Sequence, residues 1–218
     1  MRFPLLLGAV LLSAVLPSAV KASVIAISFC SGATTCAITT SPPNPVVEDP
    51  NDGAFLIWEE QQHLTLQTAL QVDRVLDSGA AYVNDLGNGK YEFVPGTTIS
   101  SYYVQWDPGN DSSSRAVMTV DFDAAVLAFI TSDESLGLSN SSLGLASIDY
   151  GSFVNRGLEP DDITNFAGFN AILSWQASTP GDWARVVTAA TPVPVPPSLL
   201  AGLAAFGSLV VLNRRRSA

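Results

Sequence analysis

The chain has 218 residues, a formal charge of −10, 47% hydrophobic residues, two Cys and a single His. All 20 acidic residues lie between Glu48 and Asp182, while Arg2, Lys21, Arg214, Arg215 and Arg216 put half of the ten basic ones in the two ends, leaving the middle at about −15. That balance excludes a nucleic-acid partner, which needs clustered Lys and Arg, and docking on an anionic membrane surface.

At the N-terminus, Arg2 precedes an apolar run from Leu5 to Leu16 that is too short to span a bilayer. Pro17, Ser18 and the small-residue site Val20-Lys21-Ala22 follow. Residues 1–22 therefore read as a secretory signal peptide cleaved after Ala22, with Ala19 as the alternative site. The roughly 170 residues that follow suffice for one well-buried domain, expected to span 23–190.

Cys30 and Cys36 enclose Ser31-Gly32-Ala33-Thr34-Thr35. In an oxidising compartment two Cys this close can form a disulfide worth about 2 kcal/mol in the chain-entropy model; free thiols are the alternative. Two Cys and one distant His do not make a zinc site, and a catalytic dithiol is more usually Cys-x-x-Cys.

The middle has the periodicity of strands. In Leu64–Asp73 the residues Leu64, Leu66, Leu70 and Val72 share one face, and Thr65, Gln67, Gln71 and Asp73 the other. Ala116, Met118, Val120 and Phe122 alternate in the same way against Thr119, Asp121 and Asp123. Further strands are expected at Val24–Phe29, Ala54–Trp58, Ile99–Trp106, Ala125–Ile130, Ala171–Trp175 and Trp183–Thr188. Turn signals such as Asn51-Asp52-Gly53, Leu86-Gly87-Asn88-Gly89 and Thr179-Pro180-Gly181-Asp182 separate them. A short helix is expected near Asp133–Leu138. Eight or so strands predict an all-β fold, an antiparallel β-sandwich of jelly-roll type.

Candidate chemistry is sparse. His63 lies on the polar face of its strand and reads as a solvated residue; no G-x-S-x-G elbow nominates a serine nucleophile. Glu59/Glu60, Asp121/Asp123, Glu159 and Asp161/Asp162 supply carboxylate pairs on paper, as an acidic composition would by itself. Asp49 to Glu60 has the length of a calcium loop, but its Gly53 is at the fifth position rather than the sixth. Asp107, Asn110 and Asp111 are the best guess for an irregular calcium site. Tyr102, Tyr103, Trp106, Trp175 and Trp183 could stack on sugars, although aromatics in strands are more often core. No catalytic residue, committed metal site or cofactor follows from these residues.

The C-terminal end carries the sharpest signal. Thr191 to Pro197 is Pro-rich and cannot be helical. Leu199 to Leu212 follows as 14 uncharged residues, about 21 Å as a helix against a hydrocarbon core of about 30 Å. Asn213, Arg214, Arg215, Arg216, Ser217 and Ala218 close the chain, and Arg214–Arg216 hold that end on the cytoplasmic side. This order resembles the PEP-CTERM sorting signal of Gram-negative bacteria: a short Pro motif, a transmembrane helix and an Arg cluster. The motif here is Val193-Pro194-Val195-Pro196-Pro197, within 191–198, with Val195 where the usual V-P-E-P has Glu. Trp58–Gln62 and Pro180–Thr188 also look like segments of uncharacterised members.

The resemblance implies export by the secretion machinery, a precursor held in the inner membrane by 199–212, and processing by an exosortase near the Pro motif. It also implies a non-enzymatic role in the cell envelope or matrix, linked to exopolysaccharide or biofilm. A plain C-terminal anchor carrying a carbohydrate-binding module is the alternative.

Overall fold

The computed structural model describes residues 23–47, 52–109 and 113–190. The expected signal peptide with Ala22, the motif Val193–Pro197, the membrane helix 199–212 and Arg214–Arg216 all lie outside the described residues. Residues 21–191 make up one compact unit. Among the described residues no helix is long and apolar enough to cross a membrane.

Among the described residues thirteen strands and one helix follow in order: β1 (Val24–Ser31), β2 (Thr35–Ile38), β3 (Ala54–Thr65), β4 (Leu70–Val72), β5 (Arg74–Val75), β6 (Val83–Gly87), β7 (Lys90–Phe93), β8 (Thr98–Asp107), β9 (Ser114–Phe122), β10 (Val126–Ile130), α1 (Asp133–Leu143), β11 (Ile163–Ala167), β12 (Asn170–Ala177) and β13 (Asp182–Ala189). The fold is all-β apart from α1. One sheet has the order β1-β9-β12-β11, a second β2-β3-β8-β13-β10-β5, and a third β4-β7-β6. Pairing is antiparallel except where β2 runs parallel to β3.

Two cores flank the six-stranded sheet. On one side Phe55, Tyr102, Val104, Trp106 and Val186 meet Met118, Val120, Leu173 and Trp175 of the four-stranded sheet. On the other side Trp58, Ile99, Tyr103, Trp183 and Val187 pack with Leu70 and Phe93 of the small sheet, Leu136 and Leu143 of α1, and Tyr150. The central strands are therefore covered on both faces. β8 is buried from Ile99 to Asp107 and β13 from Asp182 to Thr188, so neither shows the polar alternation of a half-exposed strand.

The apolar residues of Leu64–Asp73 do bury together, but they do not form one strand. β3 ends at Thr65 in the central sheet and β4 begins at Leu70 in the small one. Leu66 bridges the break: its N–H donates to the Thr97 carbonyl at 2.9 Å and its carbonyl accepts from Gly96 N–H at 2.8 Å. The hairpin β6–β7 turns through Asn88 (φ +56°) and Gly89 (φ +73°), the positive-φ pair that an Asn-Gly hairpin turn requires.

Helix α1 begins where Ser132 caps it, accepting from Ser135 N–H, with Asp133 and Glu134 in the first turn opposite the positive end of the helix dipole. Asp73 braces that end. Its carboxylate accepts the N–H groups of Thr131 and Ser132 and the hydroxyls of Ser132 and Ser135, at 2.6–2.8 Å.

Arg185 enters this second core from β13 and is fully buried. Its Nε and Nη2 donate to the two oxygens of Glu60, at 2.8 and 3.0 Å. Nη1 donates to the Leu136 carbonyl and Ser139 Oγ, both at 2.9 Å, and Nη2 also donates to Asn140 Oδ1 at 2.8 Å. All five donors are engaged, and the guanidinium lies 5.0 Å from the Tyr103 ring centre. Burial opposes the charge, but the Glu60 carboxylate outweighs it and raises the Arg185 pKa. Removing one partner leaves the other charge buried and uncompensated, so Glu60→Ala is expected to cost about 3–5 kcal/mol in urea unfolding. Glu60→Leu combined with Arg185→Met should cost far less than the two single changes added together.

Candidate functional site

Three carboxylates meet where the four- and six-stranded sheets approach each other at one end. Glu159 and Asp162 sit in the segment leading into β11, and Asp182 is the first residue of β13. Local hydrogen bonds hold each segment. Asp162 Oδ2 accepts Glu159 N–H at 2.9 Å, and its Oδ1 accepts Gln176 N–H at 2.6 Å. Ahead of Asp182 the chain turns through a cis Thr179–Pro180 bond, and Gly181 N–H donates to the Ser178 carbonyl at 2.6 Å. Gly181 has φ +90°, and a Cβ there would stand 2.6 Å from the Trp106 carbonyl oxygen, so only glycine fits. The Arg156 carbonyl accepts Trp183 N–H at 2.6 Å, while its guanidinium lies 4.4 Å over the Trp183 ring and donates to the Pro180 carbonyl.

One oxygen from each of Glu159, Asp162 and Asp182 lies within 4.8 Å of the others. Asp182 is only 3% exposed, and its Oδ2 is buried without a hydrogen-bond partner. Glu159 is exposed and Asp162 half-buried. Neighbouring Asp161 is paired with Arg115 at 3.5 Å. Burial, then the charges of Asp162 and Glu159, push the Asp182 carboxyl up to about 9. Burial likewise lifts Asp162 to about 6, against two backbone N–H groups that hold it down. A triad of this kind can share protons or hold one hard cation.

The other residues singled out from sequence fall elsewhere. Cys30 and Cys36 are joined by a disulfide with Cα atoms 6.0 Å apart, linking β1 of one sheet to β2 of the other. His63 is not on a regular strand face. It occupies an irregularity of β3 with φ +50°, half-buried, its N–H donating to Ser100 Oγ at 3.3 Å. Tyr102, Tyr103, Trp106, Trp175 and Trp183 are at most 1% exposed and form core, so none belongs to a sugar-stacking face. Asp107 is buried, with Oδ1 accepting Gly109 N–H at 2.8 Å; Asn110 and Asp111 lie outside the described residues. Asp121 accepts from Ser28 and Asn170, and Asp123 from Ser23.

A cleft of about 300 Å³ opens beside Ser23, Thr39, Pro42 and Leu145. It carries one carboxylate, Glu59, and none of the triad. Sequence reasoning placed Glu159 and Asp162 among its acids but treated Asp182 only as part of a turn. The available signal was an acid opening a strand that is otherwise apolar on both faces.

Compared with protein-family models, with curated proteins and with solved structures, the chain finds no match. The functional reading rests on its own residues.

In the metal-free protein the folded state keeps protons on Asp182 and Asp162 that the unfolded chain releases near pH 4. Stability contributed by these groups is therefore full below pH 4 and is lost as pH rises toward 9. In the presence of a chelator, the melting temperature of the unaltered chain should fall between pH 6 and pH 9. Asp182→Asn, which cannot titrate, should flatten that fall.

Proposed function

We propose that the chain is an exported cell-envelope or matrix protein, non-enzymatic and associated with exopolysaccharide, whose tail directs processing by an exosortase-type enzyme. In this reading the domain is a jelly-roll-like β-sandwich. The carrying observation is the succession Val193–Pro197, 14 uncharged residues and Arg214–Arg216. Features of the folded body lend support. The Cys30–Cys36 bridge suits an oxidising compartment. The chain passes between the two large sheets from β8 to β9, from β9 to β10 and from β12 to β13, as jelly-roll strands do.

Ser23, the residue after the expected cleavage site, adds a further point. Its backbone nitrogen donates to Asp123 Oδ1 at 2.8 Å. Cleavage after Ala22 would turn that nitrogen into an α-ammonium group beside a carboxylate, a charge-assisted bond in place of a neutral donor. Cleavage after Ala19 would not.

Mass spectrometry of the protein from Gram-negative hosts with and without an exosortase tests both ends. The expected result is an N-terminus at Ser23 in both hosts, and loss of the segment after the Pro motif only where the exosortase is present. A C-terminus at Ala218 in both hosts would overturn the sorting reading in favour of a plain membrane anchor. Asp123→Asn should cost the chain beginning at Ser23 about 1 kcal/mol more than it costs the uncleaved chain, measured by thermal unfolding.

A further inference from the structure

We propose that Glu159, Asp162 and Asp182 form a binding site for one divalent cation, calcium by its chemistry, that clasps the four-stranded sheet to the six-stranded sheet. Two oxygens each about 2.4 Å from one calcium ion stand at most about 4.8 Å apart, and the three carboxylates satisfy that limit with one oxygen each. The donor set is all oxygen, with neither His nor Cys, which selects a hard cation. It comes from an irregular segment and a strand end, suiting the flexible coordination of calcium better than the strict octahedron of magnesium. The independent sign is Asp182. It is 3% exposed and its Oδ2 has no hydrogen-bond donor; its side-chain contact is to Glu159, another carboxylate, so the two must share a proton or a cation.

Nearby positive charge is committed elsewhere. Arg115 pairs with Asp161 and reaches the Ser174 carbonyl, and the Arg156 guanidinium is engaged with Trp183 and the Pro180 carbonyl. The segments are held by their own hydrogen bonds, so the site is formed before an ion arrives. This site differs from the irregular calcium site weighed at Asp107, Asn110 and Asp111. It depends on neither the tail nor its processing.

The test uses the full chain, freed of metal by a chelator. Trp183 adjoins Asp182 and Trp106 pairs with it across the sheet, so bound Tb³⁺ should luminesce on indole excitation and be displaced by Ca²⁺. One saturable site per chain is expected, with a calcium Kd of about 10⁻³ M or tighter, and a melting temperature that rises with Ca²⁺. Glu159→Gln and Asp182→Asn should each weaken binding about tenfold or more, while Asp121→Asn leaves it unchanged. Glu159 is exposed, so Glu159→Gln decides the matter even if Asp182→Asn fails to fold. No saturable luminescence, or affinity unchanged in a folded Glu159→Gln, would overturn the proposal.

Discussion

The central sheet is buried on both faces, and the rest of the molecule is arranged around what that burial demands. A strand with solvent on one side can put its polar side chains there; β8 and β13 have no such side. Their polar groups can turn only to partners inside, and some, such as Ser101 Oγ, Tyr103 Oη and Asp182 Oδ2, have none among the described residues. Arg185 meets this demand most completely, with five donors divided between a carboxylate from β3 and three acceptors on α1. The helix is thereby fixed over the sheet at one registration, since sliding it by a turn would strip the guanidinium of Leu136 O, Ser139 and Asn140 together. Asp73 fixes the other end of the same helix through its cap. A weakly amphipathic segment such as Asp133–Leu143 thus owes its place to two charged residues outside it.

The same constraint explains what could be read from the sequence and what could not. Strands facing solvent on one side were marked by alternation: Ala116, Met118, Val120 and Phe122 point inward as their spacing predicts. The long buried runs around Ile99–Trp106 and Trp183–Thr188 show instead by their richness in aromatic and β-branched residues. The small third sheet is not legible in the sequence, because β6 and β7 are short and bury fully only Val83 and Phe93. Yet Asn88-Gly89, with both residues at positive φ, was a hairpin signal whose flanking strands went unread. Leu64–Val72 shows a deeper limit. Alternation reports which face is buried, and here one buried face is shared by two strands in two sheets, so the pattern runs through the break without marking it.

The aromatics make the same point about sites. Tyr103, Trp58 and Trp183 pack on one side of the sheet and Tyr102, Trp106 and Trp175 on the other, with ring centres in several pairs about 5–6 Å apart. They fill two separate cores, the more frequent place for aromatics in strands, and form no single surface. Charged residues were the better guide. Arg185 between Ala184 and Val186, and Asp182 before Trp183, each interrupt a run with no exposed face to accept them. Arg185 needs a counter-charge inside the fold, and Asp182 needs a proton or a cation. For Arg185 the chain itself supplies one in Glu60; for Asp182 the nearest groups are two more carboxylates.

That asymmetry gives the two large sheets a common logic. Cys30 at the end of β1 and Cys36 in β2 join them covalently, and Glu159, Asp162 and Asp182 face each other across the same junction. The registers place Thr35, Ala54, Asp107, Ser114, Ala177 and Asp182 at one end, so both clasps work at that end, the disulfide at β1 and the carboxylates beside β11, the two opposite edges of the four-stranded sheet. Each needs something the reducing, calcium-poor interior of a cell withholds: an oxidant for the first, a cation at extracellular concentration for the second. A calcium level one hundred times the dissociation constant would stabilise the folded state by about 2.7 kcal/mol, comparable to the roughly 2 kcal/mol of the short disulfide loop. Together they would hold the two large sheets at that end by one covalent bond and one ion.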